Sequence, residues 1–430
     1  MLRRAALAVL FLVASTTASA ETKLSAMPDV ESGIYEPGKQ ATWTITVSTD
    51  GKPAEGKVAY SVEKSGLKEI AKGEAELKEG KAQISATRED AGTLLVKLSY
   101  KVDKTEVKGL AAAAFAPEKI APSSAPPEDF DAFWEGKIKA LSAVPMNVQL
   151  TQVDTGDKTI EYYQFTLDNL GGGKIHGQLA KPAGKTDLPA MLQVQWAGVY
   201  PLDKQWVTGH AKNGWLSVNI LAHDLPIDES PDFYKEKAVK ELNDYPGIGN
   251  EDRETTYFLN MFLSCHRAVQ YITERPDWNK KTLVVHGGSQ GGYQAIVTAG
   301  LHPAVTALAA SVPAGCDHTG KQVGRAPGWP NWAGRTWQTN AEGKKKDEAR
   351  MLAAARYFDA MNFAPRIKVP ALVGVGLIDT VCPADGVLAT CNLLKGPKKI
   401  IIMPLADHRG DHKAYYAVYG GFLEEQKKGK

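Results

Sequence analysis

TLVVHGGSQGGYQA, residues 282–295, decides how the rest of the chain is read. Apolar Leu283, Val284 and Val285 run into His286-Gly287-Gly288-Ser289-Gln290-Gly291-Gly292, and a helical pattern, QGGYQAIVTAGL, follows. Gly287 to Gly291 match G-x-S-x-G between a buried strand and a helix, the setting that a nucleophile elbow requires. Such a turn strains the serine backbone, so its neighbours must be small. Gly287 and Gly291 meet that need, and Gly288 and Gly292 add clearance. Ser289 then projects above the strand ends, at the N-terminus of a helix whose dipole favours developing negative charge.

A serine hydroxyl is a poor nucleophile until a base takes its proton and a third group orients that base. On this scaffold the chain order is Ser, then Asp or Glu, then His. Four histidines lie beyond Ser289: His302, His318, His408 and His412. His408 follows the apolar strand KKIIIMPL by a short loop and precedes a terminal helix, the place where the last strand delivers a base. His302, just after the elbow helix, reads as a surface or capping residue, and His412 as already helical. Asp379 follows the strand PALVGVG in a loop facing the elbow, and is the predicted acid. Its rival Asp385 reads as the first turn of the next helix. For the oxyanion hole, two N–H donors are needed: that of Gln290, and that of Val199 in QVQWAGVYP, where Gly198 permits the turn. His408 and His412 also have metal-ligand spacing, with Asp407 and Asp411 beside them, but no His-Glu-x-x-His is present. Neither a metal nor another cofactor is expected.

Outward from the elbow, apolar strands alternate with amphipathic helices. The strands are predicted at 159–168, 174–182, 189–197, 214–222, 282–287, 304–312, 370–376 and 398–405. That alternation predicts a mostly parallel sheet covered on both faces, an α/β-hydrolase fold over residues 127–430. Before it, residues 21–115 carry short alternating runs, such as Trp43, Ile45 and Val47, then Val58, Tyr60 and Val62. With regular polar turns such as Asp50-Gly51-Lys52-Pro53, they predict an immunoglobulin-like β-sandwich. Residues 116–126, rich in Pro, Ala and Ser, read as an extended linker. MLRRAALAVLFLVASTTASA, residues 1–20, has the three parts of a secretory signal peptide, which predicts a periplasmic or secreted protein. Export makes disulfides possible among Cys265, Cys316, Cys382 and Cys391, with three full pairings open.

The chain has 43% apolar and 23% charged residues and a formal net charge of +2. With no long basic or acidic block, neither nucleic acid nor a membrane surface is implied as a partner. Two long insertions, 224–250 and 316–340, lie between core elements. The second carries Trp329, Trp332 and Trp337, which can stack on a sugar ring or, as the more ordinary reading, pack a lid or a partner contact, and His318 and Asp317, which can line the mouth of the site or cap a helix.

The opening helix PPEDFDAFWEGKIKAL, the GGSQGG elbow and GLIDTVCPADGVLATCN around Asp379 resemble carbohydrate esterase family 7, the acetyl xylan esterases and cephalosporin-C deacetylases. The resemblance covers about residues 125 to 428. It implies a Ser289–Asp379–His408 triad, oxyanion donors at Gln290 and Val199, an acetylated carbohydrate or other small ester as substrate, and a homo-oligomer. The chain departs from the family at Ala197-Gly198-Val199, where an aromatic residue is usual. It also departs at LAHDLP (221–226) in place of Arg-Gly-Gln, at His408-Arg409 in place of His-Glu, and in the added β-region. The residues therefore predict an exported serine esterase. A peptidase or lactone hydrolase on the same scaffold, or a carbohydrate-binding protein without activity, are the alternatives.

Overall fold

Alternation in the first hundred residues becomes two sheets around one core. A computed structural model describes residues 21–428 apart from 104 and 341, so the predicted signal peptide lies outside the described residues. Strands β1 (Thr22–Pro28), β3 (Gln40–Thr49), β4 (Lys52–Pro53) and β7 (Lys81–Thr87) form one sheet. Strands β2 (Ile34–Tyr35), β5 (Lys57–Lys64), β6 (Lys68–Glu76), β8 (Gly92–Val102) and β9 (Thr105–Phe115) form the other. Asp50 and Gly51 both have positive φ, 51° and 75°, which lets β3 reverse into β4 through a two-residue turn. Trp43, Ile45 and Val47 from the first sheet meet Val58, Val62, Leu94 and Val96 from the second in one buried cluster.

The predicted linker opens with a 3-10 turn at Pro117–Lys119 instead of running extended throughout, and it is tied down. The Asn392 side-chain amide donates to the Pro117 and Ile120 carbonyls at 2.9 and 3.0 Å, and Arg325 donates to Ala121 at 2.7 Å. After it, α1 (Phe130–Ser142) buries Phe130, Phe133 and Trp134, and further along the chain come α2 (Gln205–Lys212), α3 (Pro231–Lys240), α6 (Glu348–Ala355) and α7 (Ala360–Phe363).

The third sheet, that of the C-terminal region, has nine strands: β10 (Gln149–Gln152), β11 (Ile160–Asp168), β12 (Lys174–Pro182), β13 (Leu188–Val194), β14 (Leu216–Ile220), β15 (Trp278–Gly288), β16 (Ala307–Ser311), β17 (Ala371–Gly376) and β18 (Lys398–Met403). Their order is β10-β11-β12-β14-β13-β15-β16-β17-β18. The pairings as far as β12–β14 are antiparallel and the rest parallel, so the sheet is mixed. Strand β10 was not foreseen because all four of its residues, QLTQ, are exposed and give no apolar face.

Central strands look apolar throughout because both faces are covered. Leu283 and Val285 pack with α4 (Tyr257–Glu274) and α5 (Gln290–Leu301) on one face. Val284 points the other way, into a cluster with Tyr415 and Phe422 of α9 (Lys413–Lys427). Each such buried Val or Leu contributes roughly 1.5–3 kcal/mol. Strand β13 pairs with β14 on one side and β15 on the other, so the chain switches direction there. The loops leaving β13 and β15 face each other across that switch point, where ligands bind in open α/β sheets. Among the described residues, no helix is long and apolar enough to cross a membrane.

Candidate active site

Ser289 follows β15 and immediately precedes α5, with φ 54° and ψ −121°. A side chain rarely adopts that conformation, and here it costs on the order of 1–3 kcal/mol. Its backbone is held on both sides: Ser289 N–H donates to Ser311 at 2.9 Å, and its carbonyl accepts from Tyr293 and Ala314, both at 3.0 Å. The flanking glycines have separate reasons. A Cβ on Gly287 would stand 2.5 Å from the Gly291 carbonyl carbon, and one on Gly291 would stand 2.5 Å from the Val194 oxygen. Gly288 has room, with nothing nearer than Ser311 O at 3.8 Å, so it is not needed for clearance as the sequence reading had it.

His408 lies in the loop between β18 and α9, with Nε2 2.9 Å from Ser289 Oγ and Nδ1 2.8 Å from Asp379 Oδ2. Asp379, after β17, has a fully buried carboxylate. Its other oxygen accepts from Val381 N–H at 2.8 Å and Cys382 N–H at 2.7 Å. Gly376 brings the two loops together, because a Cβ there would collide with the Ala406 carbonyl. The neutral tautomer that serves both contacts carries its proton on Nδ1 and presents Nε2 as an acceptor to the serine hydroxyl. His412 caps α9 and hydrogen-bonds the Asp407 carbonyl at 2.9 Å. His408 stands before that helix, so the two imidazoles do not share a helical face. Asp385 is buried elsewhere and takes no part in the chain of contacts to Ser289.

The opposing loop is clamped. Gln195 accepts from Ala222 N–H at 3.0 Å and donates to the Tyr200 carbonyl at 3.1 Å. His223 Nε2 donates to the Gly198 carbonyl at 2.9 Å, and Nδ1 accepts from the Tyr257 hydroxyl at 2.8 Å. Burial pushes the His223 pKa down to about 4, so the ring stays neutral and this donor–acceptor pattern is kept. Gln290 is fixed from behind, its side chain accepting from the Tyr245 hydroxyl. Among the described residues, the N–H groups of Gln290 and Val199 have no acceptor. The Val199 side chain packs against the buried cluster formed by Leu202, Leu221, Leu225, Ile227 and Tyr234.

The model of the acetyl xylan esterase family (AXE1) matches residues 118–419, which holds every residue of this arrangement. The chain belongs to the acetyl xylan esterase family. It is a carboxylic ester hydrolase. The acetyl esterase Axe7A of Xylanibacter ruminicola is 31% identical over 389 residues, 89% of this chain and 86% of that one. That is more than the stretch from 118 to 430 holds, so the likeness reaches into the N-terminal sheets. Among solved structures, the acetyl xylan esterase from Paenibacillus sp. R4 is 24% identical with a TM-score of 0.61, covering 72% of this chain and 98% of that one. Acetyl xylan esterase 1 from Thermoanaerobacterium sp. JW/SL YS485 is 21% identical with a TM-score of 0.61, covering 73% and 96%. These two show the fold, an α/β-hydrolase with a mixed sheet.

In this esterase, Ser289 and His408 open on a cavity of about 550 Å³ that includes Trp196, Trp329, Val381, Arg409 and Tyr416. Of the three tryptophans read as sugar-stacking, only Trp329 lines it. Trp332 is 1% exposed, stacked between Phe258 and Phe358 with its indole N–H donated to Asn250 at 2.8 Å. Trp337 is 70% exposed and lies outside the cavity. Trp196, 44% exposed and stacked on Tyr200, was missed, although it stands in the loop read for its backbone donor. His318 does not line the mouth: it is buried against Tyr293, and burial pushes its pKa down to about 3. Asp317 is spent on an ion pair with Arg325 at 2.6 Å. All four cysteines are buried free thiols, and burial pushes those of Cys265 and Cys391 up to about 12.

Proposed function

We propose that this esterase is exported and removes acetyl groups from carbohydrate by way of a Ser289–His408–Asp379 triad. The observation that carries the reading is the continuous hydrogen-bonded line from Asp379 through His408 to Ser289, at 2.8 and 2.9 Å. His408 Nε2 takes the Ser289 proton as Oγ attacks the acetyl carbonyl. Asp379 holds Nδ1–H and stabilises the imidazolium that forms. Negative charge on the carbonyl oxygen develops at the N-terminus of α5, toward the Gln290 N–H, with Val199 as second donor. The imidazolium then protonates the departing sugar alkoxide, and water, activated the same way, releases acetate. Trp196 and Trp329 offer flat apolar surface beside the nucleophile, which suits a sugar ring. In this reading residues 1–20 direct export, and the N-terminal sheets are an immunoglobulin-like accessory domain.

Acetate release from acetylated xylo-oligosaccharides, set beside aryl acetates and peptides, tests the proposal; cleavage of peptides with no release from acetylated sugars would overturn it. Asp379→Asn in the same assay is expected to lower kcat by about 10⁴, since an amide fixes the wrong imidazole tautomer. Trp329→Ala is expected to raise KM for acetylated sugars about fivefold, the equivalent of about 1 kcal/mol of aromatic contact. Trp337→Ala should leave KM where it is. Equal effects of the two tryptophan variants would remove Trp329 from the substrate surface.

A further inference from the structure

The N-terminal sheets meet the hydrolase domain behind the acid. Asp385, at the start of α8 (Ala384–Leu393), is 1% exposed. A carboxylate so deeply buried needs donors, and all of those it has among the described residues come from the N-terminal β-region, one from the β5–β6 turn and two from β8. Oδ1 accepts from Ser65 Oγ at 3.0 Å and Thr93 N–H at 3.2 Å, and Oδ2 accepts from the Thr93 hydroxyl. Arg88 braces both donors, reaching Ser65 Oγ at 2.8 Å and the Thr93 carbonyl at 2.6 Å.

These contacts are six residues from Asp379, on the segment whose Val381 and Cys382 amides hold its carboxylate. A cavity of about 120 Å³ at the junction is lined by Ser65, Thr93 and Leu95 on one side and by Leu377, Asp379 and Pro383 on the other. The same Ser65 accepts, through its carbonyl, from Ala326 N–H at 2.9 Å. Three residues on, Trp329 N–H donates to the Val381 carbonyl at 2.7 Å. A second turn, at Gly33, lies so close to Leu377 and Pro404 that a Cβ there would stand 3.1 Å from each. The N-terminal sheets thus touch the loop of the acid, the loop of the base and the segment bearing Trp329.

From this geometry we propose that the N-terminal domain is a positioning device for catalysis, acting through Asp385 to seat Asp379 against His408; the inference rests on the triad reading above. Asp385 touches neither substrate nor the reacting atoms and is a positioning residue. Loss of its donors would let the 379–385 segment drift, and misplacement of a catalytic group by an ångström costs up to about 10²-fold in rate.

The test uses the full chain with 4-nitrophenyl acetate, measured well below each variant's melting temperature. Asp385→Asn and Thr93→Val are expected to lower kcat about tenfold with KM within about twofold, and to slow labelling of Ser289 by an organophosphorus probe in the same ratio. Thr93→Ser keeps the hydroxyl and should restore both. Ser65→Ala removes one hydroxyl donor and leaves both Thr93 contacts in place, so it serves if the other variants do not fold, with a loss of about threefold expected. A fall in melting temperature with wild-type kcat and labelling rate would overturn the proposal and leave the domain a stabilising element. So would a Thr93→Ser variant as slow as Thr93→Val. Asp379→Asn in parallel separates the two readings: full activity there sinks the triad, whereas its loss beside an active Asp385→Asn sinks only the role of the domain.

Discussion

Ser289→Gly is expected to abolish acetate release and at the same time to stabilise the protein. Removing the nucleophile of a serine hydrolase lowers kcat by on the order of 10⁵ or more, since the oxyanion donors and the binding surface alone retain little catalysis. The stability gain has a different origin. At φ 54° and ψ −121° the Ser289 backbone occupies the region of the first central residue of a type II′ turn, where glycine dominates. Its hydroxyl hydrogen-bonds only His408 among the described residues, and the residue is half-buried, so little packing is lost with the side chain. Relief of the backbone conformation is worth about 1 kcal/mol, or roughly 2 °C in melting temperature for a domain of this size. Ser289→Ala separates the two effects, because alanine removes the hydroxyl but keeps the Cβ. It should be equally inactive without the gain. If alanine stabilises as much as glycine, the strain is not at this φ. If Ser289→Gly keeps more than about a hundredth of wild-type activity, Ser289 is not the nucleophile.

How far the residues foretold this arrangement follows from the range of each signal. Ser289, Asp379 and His408 could be singled out because each stands just past an apolar strand and the scaffold's chain order then leaves few choices; the structure sets the three within hydrogen-bonding distance. Local turn chemistry was legible too, as at Asp50-Gly51. The tryptophans were not, because the 316–340 insertion has no periodicity to separate a core face from a solvent face. Trp332 is drawn inward by Phe258 and Phe358, which lie far from it in sequence. Trp196 was hidden for the opposite reason: its loop has an evident backbone role, and nothing marks its side chain as half exposed. Asp385 shows the limit most clearly. As the start of a helix it reads as a local cap, yet its donors Ser65 and Thr93 are 320 and 292 residues away. No pattern within a segment reports a contact of that span.

Gly291→Ala is expected to damage the elbow severely, although it adds one methyl group outside the proposed catalytic line. The new Cβ would lie 2.5 Å from the Val194 oxygen, 3.2 Å from the Val194 carbonyl carbon and 3.3 Å from that of Gln195. These are backbone atoms at the end of β13, so no rotamer change makes room. Either α5 retreats from the sheet or the Val194–Gln195 peptide turns. The first pulls apart a closely packed helix–strand contact, and the second disturbs the Gln195 carbonyl, which accepts from the Gln294 amide at 2.8 Å. Forced overpacking of this kind costs about 3 kcal/mol or more, which corresponds to a fall of at least about 6 °C in melting temperature. Activity should fall further than the folded fraction does, because Trp196 and the Gly198–Val199 turn follow directly from the displaced peptide. Gly288→Ala is the matched control: its Cβ meets nothing nearer than 3.8 Å. Its melting temperature should stay within about 1 °C of wild type, as for a substitution that meets no neighbour. An equal drop in the two variants would mean that the elbow demands glycine for its backbone angles. A drop confined to Gly291→Ala would place the demand in the approach of α5 to β13, the contact that sets Ser289 opposite the Gly198–Val199 turn.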